Sequence, residues 1–302
     1  MSFTPSKCSS AATCTDAASI TLAVRDYDLA GTLESGQAFR WNCVDGGWNG
    51  VIGNRWVRLR ADAFSITAEA AEPLSDWRWL TDYLQADLDI RMVVATFPED
   101  EPIRAAVGAC RGLRLLRQDP WECLASFILS STKQIVQIRQ IVSLLCERFG
   151  EPIPATAEYG PAFAFPSPAR LARATEAELR ACKMGFRAPY LLETARAVVE
   201  GKIELERLRQ LSVETARAEL MHLPGVGRKI ADCMLLFAYG FQSAFPVDVW
   251  VIKALQKLYF PRRRASAKRL RHFSETHFGP NAGYAQQYLF HYMRTKHGKV
   301  AS

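Results

Sequence analysis

The chain has 302 residues, 49% of them apolar, enough to bury a large core in two or three subdomains, which excludes a disordered or fibrous class. Its opening, MSFTPSKCSSAATCTDAAS, lacks the apolar centre of a signal peptide, and the apolar run 233–241 is too short to span a bilayer. The net charge of +7 is uneven: residues 251–302 hold eleven Lys and Arg against one acid, Glu275, so this stretch carries +10 and the preceding residues −3, a distribution suited to phosphates.

Residues 1–21 are rich in Ser, Thr and Ala with little periodicity and read as a mobile tail. From Ala38 the segments FRWNCV, WNGVI, RWVRLRA and FSITAEA alternate in character, with turn signals at Asp45-Gly46-Gly47 and Gly53-Asn54. They predict an antiparallel sheet of at least four strands, within a subdomain spanning 22–117. Helices are expected over 77–84 and 92–109, and from Asp119 the pattern is almost wholly helical, giving a helical region over 118–302. The fold class is therefore α+β, mostly α. Eight cysteines, at 8, 14, 43, 110, 123, 146, 182 and 233, form no CxxC pair and no Cys/His ligand spacing. This pattern suggests a reducing compartment, cytoplasm or nucleus, and no structural metal.

The chain is organised around 223–248, LPGVGRKIADCMLLFAYGFQSAFPVD. Val213, Ala216 and Leu220 recur at helical spacing, Pro224-Gly225-Val226-Gly227 breaks the pattern, and Ile230, Cys233, Met234 and Phe237 restart it, predicting a helix, a tight hairpin and a second helix over 213–239. The two glycines permit backbone angles closed to other residues, and amides of the turn and of the second helix's first turn are expected to point outward. With the helix dipole behind them they suit a phosphate, although an ordinary helical hairpin carries the same pattern. Lys229 lies just inside the second helix beside Arg228, where both dipole and neighbour disfavour its charge, so its amine is expected to deprotonate readily and act as a nucleophile. Asp248 has the type and position of an N-cap for the run Val249, Ile252, Lys253, Leu255, Gln256. A capping carboxylate is expected to stay ionised and to stabilise a cationic sugar-like transition state or hold the lysine's proton.

This hairpin, followed by a loop with glycine and proline and then an aspartate, resembles the helix-hairpin-helix superfamily of DNA glycosylases. Further blocks narrow the resemblance to the eukaryotic-type 8-oxoguanine DNA glycosylase over roughly 22–295: Ser35-Gly36-Gln37-Ala38-Phe39-Arg40-Trp41, Leu115-Leu116-Arg117-Gln118-Asp119-Pro120, Ser126-Phe127-Ile128, Gly185-Phe186-Arg187-Ala188 and Ala285-Gln286. The resemblance implies a sheet subdomain followed by an all-helical core, and a monomeric DNA glycosylase/AP lyase without cofactor whose partner is damaged double-stranded DNA. An excising enzyme of this kind extrudes a nucleotide, fills the gap and grips the base. A catalyst for another damaged base, or a hairpin protein that only binds DNA, are the alternatives.

Carried onto this chain, the resemblance makes Lys229 the Schiff-base lysine and Asp248 the catalytic aspartate. Gln286 would read the base edge, Phe290 stack on it, and Gly36 offer its carbonyl to N7–H of the lesion. Cys233, one helical turn from Lys229, would adjoin the amine. Phe186 would wedge into the stack and Arg187 read the orphaned cytosine, while Gly225, Val226 and Gly227 grip the backbone. Three positions depart from the family: its gap-filling asparagine is Thr132, its second cytosine-reading arginine is Gln137, and the histidine two residues after the aspartate is Trp250. A strict preference for cytosine opposite the lesion is not implied by these residues.

Overall fold

Alternating apolar and polar residues build the N-terminal sheet in the computed structural model, which describes residues 17–262 and 264–297. Strands β1 (Ala17–Ala23), β2 (Asn42–Val44), β3 (Gly47–Ile52), β4 (Arg55–Ala61) and β5 (Ser65–Leu74) form one antiparallel sheet in the order β1-β5-β4-β3-β2. Trp48, Val57, Leu59, Ile66 and Ala68 share a core with Leu33 of helix α1 (Leu29–Glu34) and with Leu80 and Leu84 of α2 (Arg78–Leu84).

The sheet differs from the sequence expectation at both edges. Of the expected tail, residues 1–16 lie outside the described residues, but 17–21 belong to β1 and pair with β5. Ile20 and Leu22 pack toward the core while Ser19 and Thr21 stay exposed, the period of two that a half-buried edge strand requires. β2 begins at Asn42 rather than at Phe39: Phe39 packs in the helical core and Trp41 in the sheet core, whereas a regular strand would send both to one face. The Trp41 indole donates to the Tyr83 hydroxyl at 2.9 Å.

The helix expected over 92–109 is two: α3 (Ile90–Val94) and α4 (Glu101–Ala109). Pro98 disfavours helical angles at Phe97, and Asp100 starts the second helix as an N-cap that accepts from the Ile103 amide at 3.0 Å. Both pack by Ile90, Val93, Ile103 and Ala106 into the larger helical core, not into the sheet core. There follow α5 (Pro120–Leu129) and α6 (Ile135–Phe149), a short unexpected ladder of β6 (Pro152–Ile153) with β7 (Ala162–Phe163), then α7 (Pro168–Ala172), α8 (Glu176–Leu179) and α9 (Ala188–Val199). The hairpin helices are α10 (Val213–Met221) and α11 (Arg228–Met234), and α12 (Val249–Tyr259), α13 (Ala267–Thr276) and α14 (Ala282–His297) complete the chain.

Gln37 bolts the sheet to the helices. Its amide nitrogen donates to the carbonyls of Thr32 and Arg114 (3.1 and 2.8 Å) and its side-chain oxygen accepts from the Leu116 amide at 2.7 Å. Its own carbonyl accepts from the Gln118 side chain at 2.7 Å, and the Gln118 amide donates to Phe237 at 2.9 Å. Arg40 of the same block pairs with Glu122 on α5 and donates to the Phe163 carbonyl on β7. A buried, fully bonded network of this kind fixes one docking geometry and so fixes Gly36 against the helical core.

Candidate active site

The hairpin turn needs glycine at one of its two positions. Gly225 has φ +75°, and a Cβ there would lie 2.7 Å from the Tyr190 ring. Gly227 caps α11 at ordinary angles and has open space where a Cβ would stand, so the missing side chain serves to leave the helix N-terminus uncovered. Val226 departs from the expected row of outward amides: its N–H donates to the Leu223 carbonyl at 3.1 Å, closing the turn, and its side chain is buried. The neighbouring charge expected to act on Lys229 is also engaged elsewhere, since Arg228 pairs with Glu275 at 2.6 Å and with Asp232 at 3.6 Å.

Lys229 projects from α11 onto the end of α5. Its Nζ donates to the Ser130 hydroxyl at 3.0 Å and lies 5.0 Å from the centre of the Phe127 ring, which Phe237 stacks at 5.5 Å. Cys233, one turn along, is buried, and burial pushes its thiol up to about 12, so near neutrality it stays protonated and does not compete as a nucleophile.

Asp248 caps α12 as expected, accepting from the amides of Trp250 (2.9 Å) and Val251 (2.8 Å). The cap does not, however, set its ionisation alone. Burial raises the carboxyl above the usual range and outweighs the Val251 amide, Lys229 and the Trp250 amide, which pull it down. Trp250 itself receives Lys253, whose Nζ lies 4.8 Å from its ring centre.

These groups meet. Gly36, Lys229, Cys233, Asp248, Gln286 and Phe290 line one cavity with Phe127, Phe237, Pro246 and Gln287. Gly36 reaches it from the sheet side with φ +79°, and a Cβ would stand 2.5 Å from Ile135 Cδ1. Gln287 secures this approach by donating to the Ser35 carbonyl at 3.0 Å. Gln286 is 4% exposed and its Oε1 has no hydrogen-bond partner among the described residues, a buried acceptor left open on a residue that lines the cavity. Four residues on, Phe290 carries the Arg294 guanidinium 5.6 Å from its ring centre.

The remaining predicted residues lie outside this cavity, on the turn between α5 and α6, at the start of α6 and just before α9. Phe186 is 54% exposed beside Gly185 (φ +62°) and meets Tyr190 edge-on at 6.4 Å. Arg187 is turned inward instead of presenting an open fork: it is 2% exposed, donates to the Met184 carbonyl and to Thr132 Oγ1, and lies 4.2 Å from the Phe186 ring centre. Thr132 holds φ +58°, an outlier for a β-branched residue. Gln137 is exposed, and its side chain accepts from the Gln134 amide at 3.1 Å in the capping box of α6.

Sequence reasoning missed Ser130, Phe127, Phe237 and Arg294. Ser130 and Phe127 stand in a stretch that the family resemblance marks, but nothing in their spacing ties them to a lysine about a hundred residues away. Among the described residues no group of His, Cys, Asp and Glu is disposed to hold a metal, and no helix is long and apolar enough to cross a membrane.

An N-terminal antiparallel sheet docked on a helical core, with a lysine on the second helix of a hairpin and an aspartate capping the next helix, defines a helix-hairpin-helix base excision DNA glycosylase. Residues 125–280 match the HhH-GPD superfamily base excision DNA repair protein, and residues 19–124 match the N-terminal domain of 8-oxoguanine DNA glycosylase. The chain belongs to the 8-oxoguanine DNA glycosylase family of that superfamily. It is 39% identical to the N-glycosylase/DNA lyase of Saccharomyces cerevisiae over 76% of this chain and 68% of the yeast protein. It is 33% identical to the N-glycosylase/DNA lyase OGG1 of Arabidopsis thaliana over 86% of this chain and 75% of the plant protein. Among solved structures, the 8-oxoguanine glycosylase/lyase of Clostridium acetobutylicum, bound to double-stranded DNA with cytosine opposite 8-oxoguanine, superposes with a TM-score of 0.84 at 30% identity, covering 92% of this chain and 98% of that one.

Proposed function

We propose that the protein excises 8-oxoguanine, and related oxidised purines such as formamidopyrimidines, from duplex DNA and then cuts the strand, acting as a single chain in cytoplasm or nucleus. The observation that carries this reading is the convergence of Lys229, Asp248, Gln286, Phe290 and Gly36, from segments far apart in sequence, on one cavity. The exposed glycines of the hairpin and the uncovered start of α11 take the DNA backbone, and Phe186 enters the stack as the lesion leaves it. Phe290 stacks on the flipped base, Gln286 pairs with its edge, and the Gly36 carbonyl accepts the N7 hydrogen that guanine lacks.

The neutral amine of Lys229 attacks C1′ of the deoxyribose. A bond forms from nitrogen to C1′ while the glycosidic bond breaks and its electron pair leaves with the base, which takes up the proton that the nitrogen sheds. Opening of the sugar gives the Schiff base. Loss of a proton from C2′ then expels the 3′ phosphate and breaks the strand. Asp248, when ionised, stabilises the positive charge that develops on the sugar.

The test is borohydride trapping on duplexes carrying 8-oxoguanine opposite each of the four bases, beside undamaged guanine and with Lys229→Gln as control. An adduct that requires both lesion and Lys229 is expected. Free base released without any adduct would replace the lysine mechanism with hydrolysis, and neither product would leave a DNA-binding protein.

A further inference from the structure

Ser130 closes α5 as its C-cap (φ −74°, ψ −16°), and its hydroxyl donates to the Phe127 carbonyl at 2.7 Å. A serine hydroxyl has one proton. With that proton on Phe127, the oxygen presents only lone pairs to its other neighbour, Nζ of Lys229 at 3.0 Å. Ser130 can therefore accept an N–H of the lysine and cannot cap its lone pair. The ring of Phe127 acts in the same sense, because its negative face lies 5.0 Å from the nitrogen and attracts N–H rather than a lone pair. That ring is fixed from two sides, by Phe237 stacked at 5.5 Å and by Phe39 edge-on at 5.6 Å.

A neutral amine has two N–H bonds and one lone pair. If the last turn of α5 gathers the N–H bonds, the lone pair is left for the cavity that Lys229 shares with Asp248, Gln286 and Phe290. We infer that Ser130 is a positioning residue that aims the nitrogen of Lys229 at the sugar by accepting its N–H, an inference that rests on Lys229 being the nucleophile. The hydroxyl neither gains nor loses a proton as the nitrogen–C1′ bond forms and the glycosidic bond breaks.

The test is single-turnover borohydride trapping with the full chain on an 8-oxoguanine duplex, comparing Ser130→Ala, Ser130→Thr and Lys229→Gln, with duplex affinity measured in parallel. Ser130→Ala is expected to form the adduct about 10-fold more slowly, the size of one lost hydrogen bond. Its duplex affinity is expected to hold. Ser130→Thr keeps the oxygen and is expected to recover most of the rate. If Ser130→Ala does not fold, Ser130→Cys, close in volume but a poor acceptor, carries the same expectation. A wild-type rate in the oxygen-free variant, or an equal loss in Ser130→Thr, would overturn the assignment, the second by marking a packing role. Lys229→Gln separates the two levels: trapping abolished there but unaffected by the serine variants rejects Ser130 alone, whereas an adduct surviving Lys229→Gln rejects the nucleophile and Ser130 with it.

Discussion

Around Lys229 the side chains are brought together by packing between distant segments and largely buried, whereas in 130–137 and 183–190 Thr132, Gln137 and Phe186 are exposed and the backbone takes positive φ at Thr132, Lys183 and Gly185. In the cavity, burial decides the chemistry: it keeps the Cys233 thiol protonated and raises the Asp248 carboxyl. At the loops, conformation decides it, because Arg187 is held inward by Thr132 and Met184 beneath an exposed Phe186. Substitutions in the cavity should therefore remove activity at small cost in stability, while those in the loops should trade modest activity against backbone strain.

The largest effect is expected from Lys229→Gln, which should abolish trapping and lower strand cleavage by more than ~10³-fold, as loss of a nucleophile does. Asp248→Asn should follow, with base release slower by ~10²–10³-fold in single turnover, the range for a transition-state electrostatic contact. Asparagine keeps the N-cap acceptor, so thermal unfolding at neutral pH should stay level or improve. The sign follows from the raised carboxyl: its folded pKa lies above the unfolded value, so the protonated form is favoured in the fold and its contribution to stability is lost as pH rises through the folded value. For the same reason base release should fall, on acidification, at a higher pH than an exposed aspartate would give. A pH–rate profile that matches an exposed carboxylate would count against burial as the controlling factor.

Gly36→Ala probes where sheet and cavity meet. Its φ of +79° and the approach of Ile135 predict a loss of ~1–2 kcal/mol in urea unfolding. Discrimination of 8-oxoguanine from guanine should weaken alongside. At the loops, Phe186→Ala should slow base release about 10-fold, the loss of a few kcal/mol at most of help in unstacking, with unfolding unchanged because the ring is largely exposed. The smallest effect is expected from Thr132→Asn. Asparagine tolerates left-handed angles and keeps an acceptor for Arg187, so stability should rise by ~0.5–1 kcal/mol in urea unfolding. A decrease would show that the threonine methyl packs in a way that offsets the strain.

Several features were legible because they are local. Helix periodicity and a Gly-containing break gave the hairpin, the four-residue spacing placed Cys233 beside Lys229 and Gln286 beside Phe290, and Asp248 sits where an N-cap must. The edge strand β1 was hidden by the small, polar residues that alternate with Ile20 and Leu22, and the 92–109 helix was read through the Pro98 break. Val226 and Arg187 were read as outward groups because sequence shows the type of a side chain and not the carbonyl or hydroxyl that captures it.

By itself, the sequence determined the helical hairpin, the Asp248 N-cap and which side chains share a helix face, since these depend on spacing along one helix or one turn. Only the tertiary structure decided that Gly36 faces the lysine across the sheet–helix junction, that burial raises Asp248, and that Ser130 and Phe127 receive Lys229. Those depend on which surfaces are withdrawn from water and which distant groups meet there, and long-range packing alone sets both.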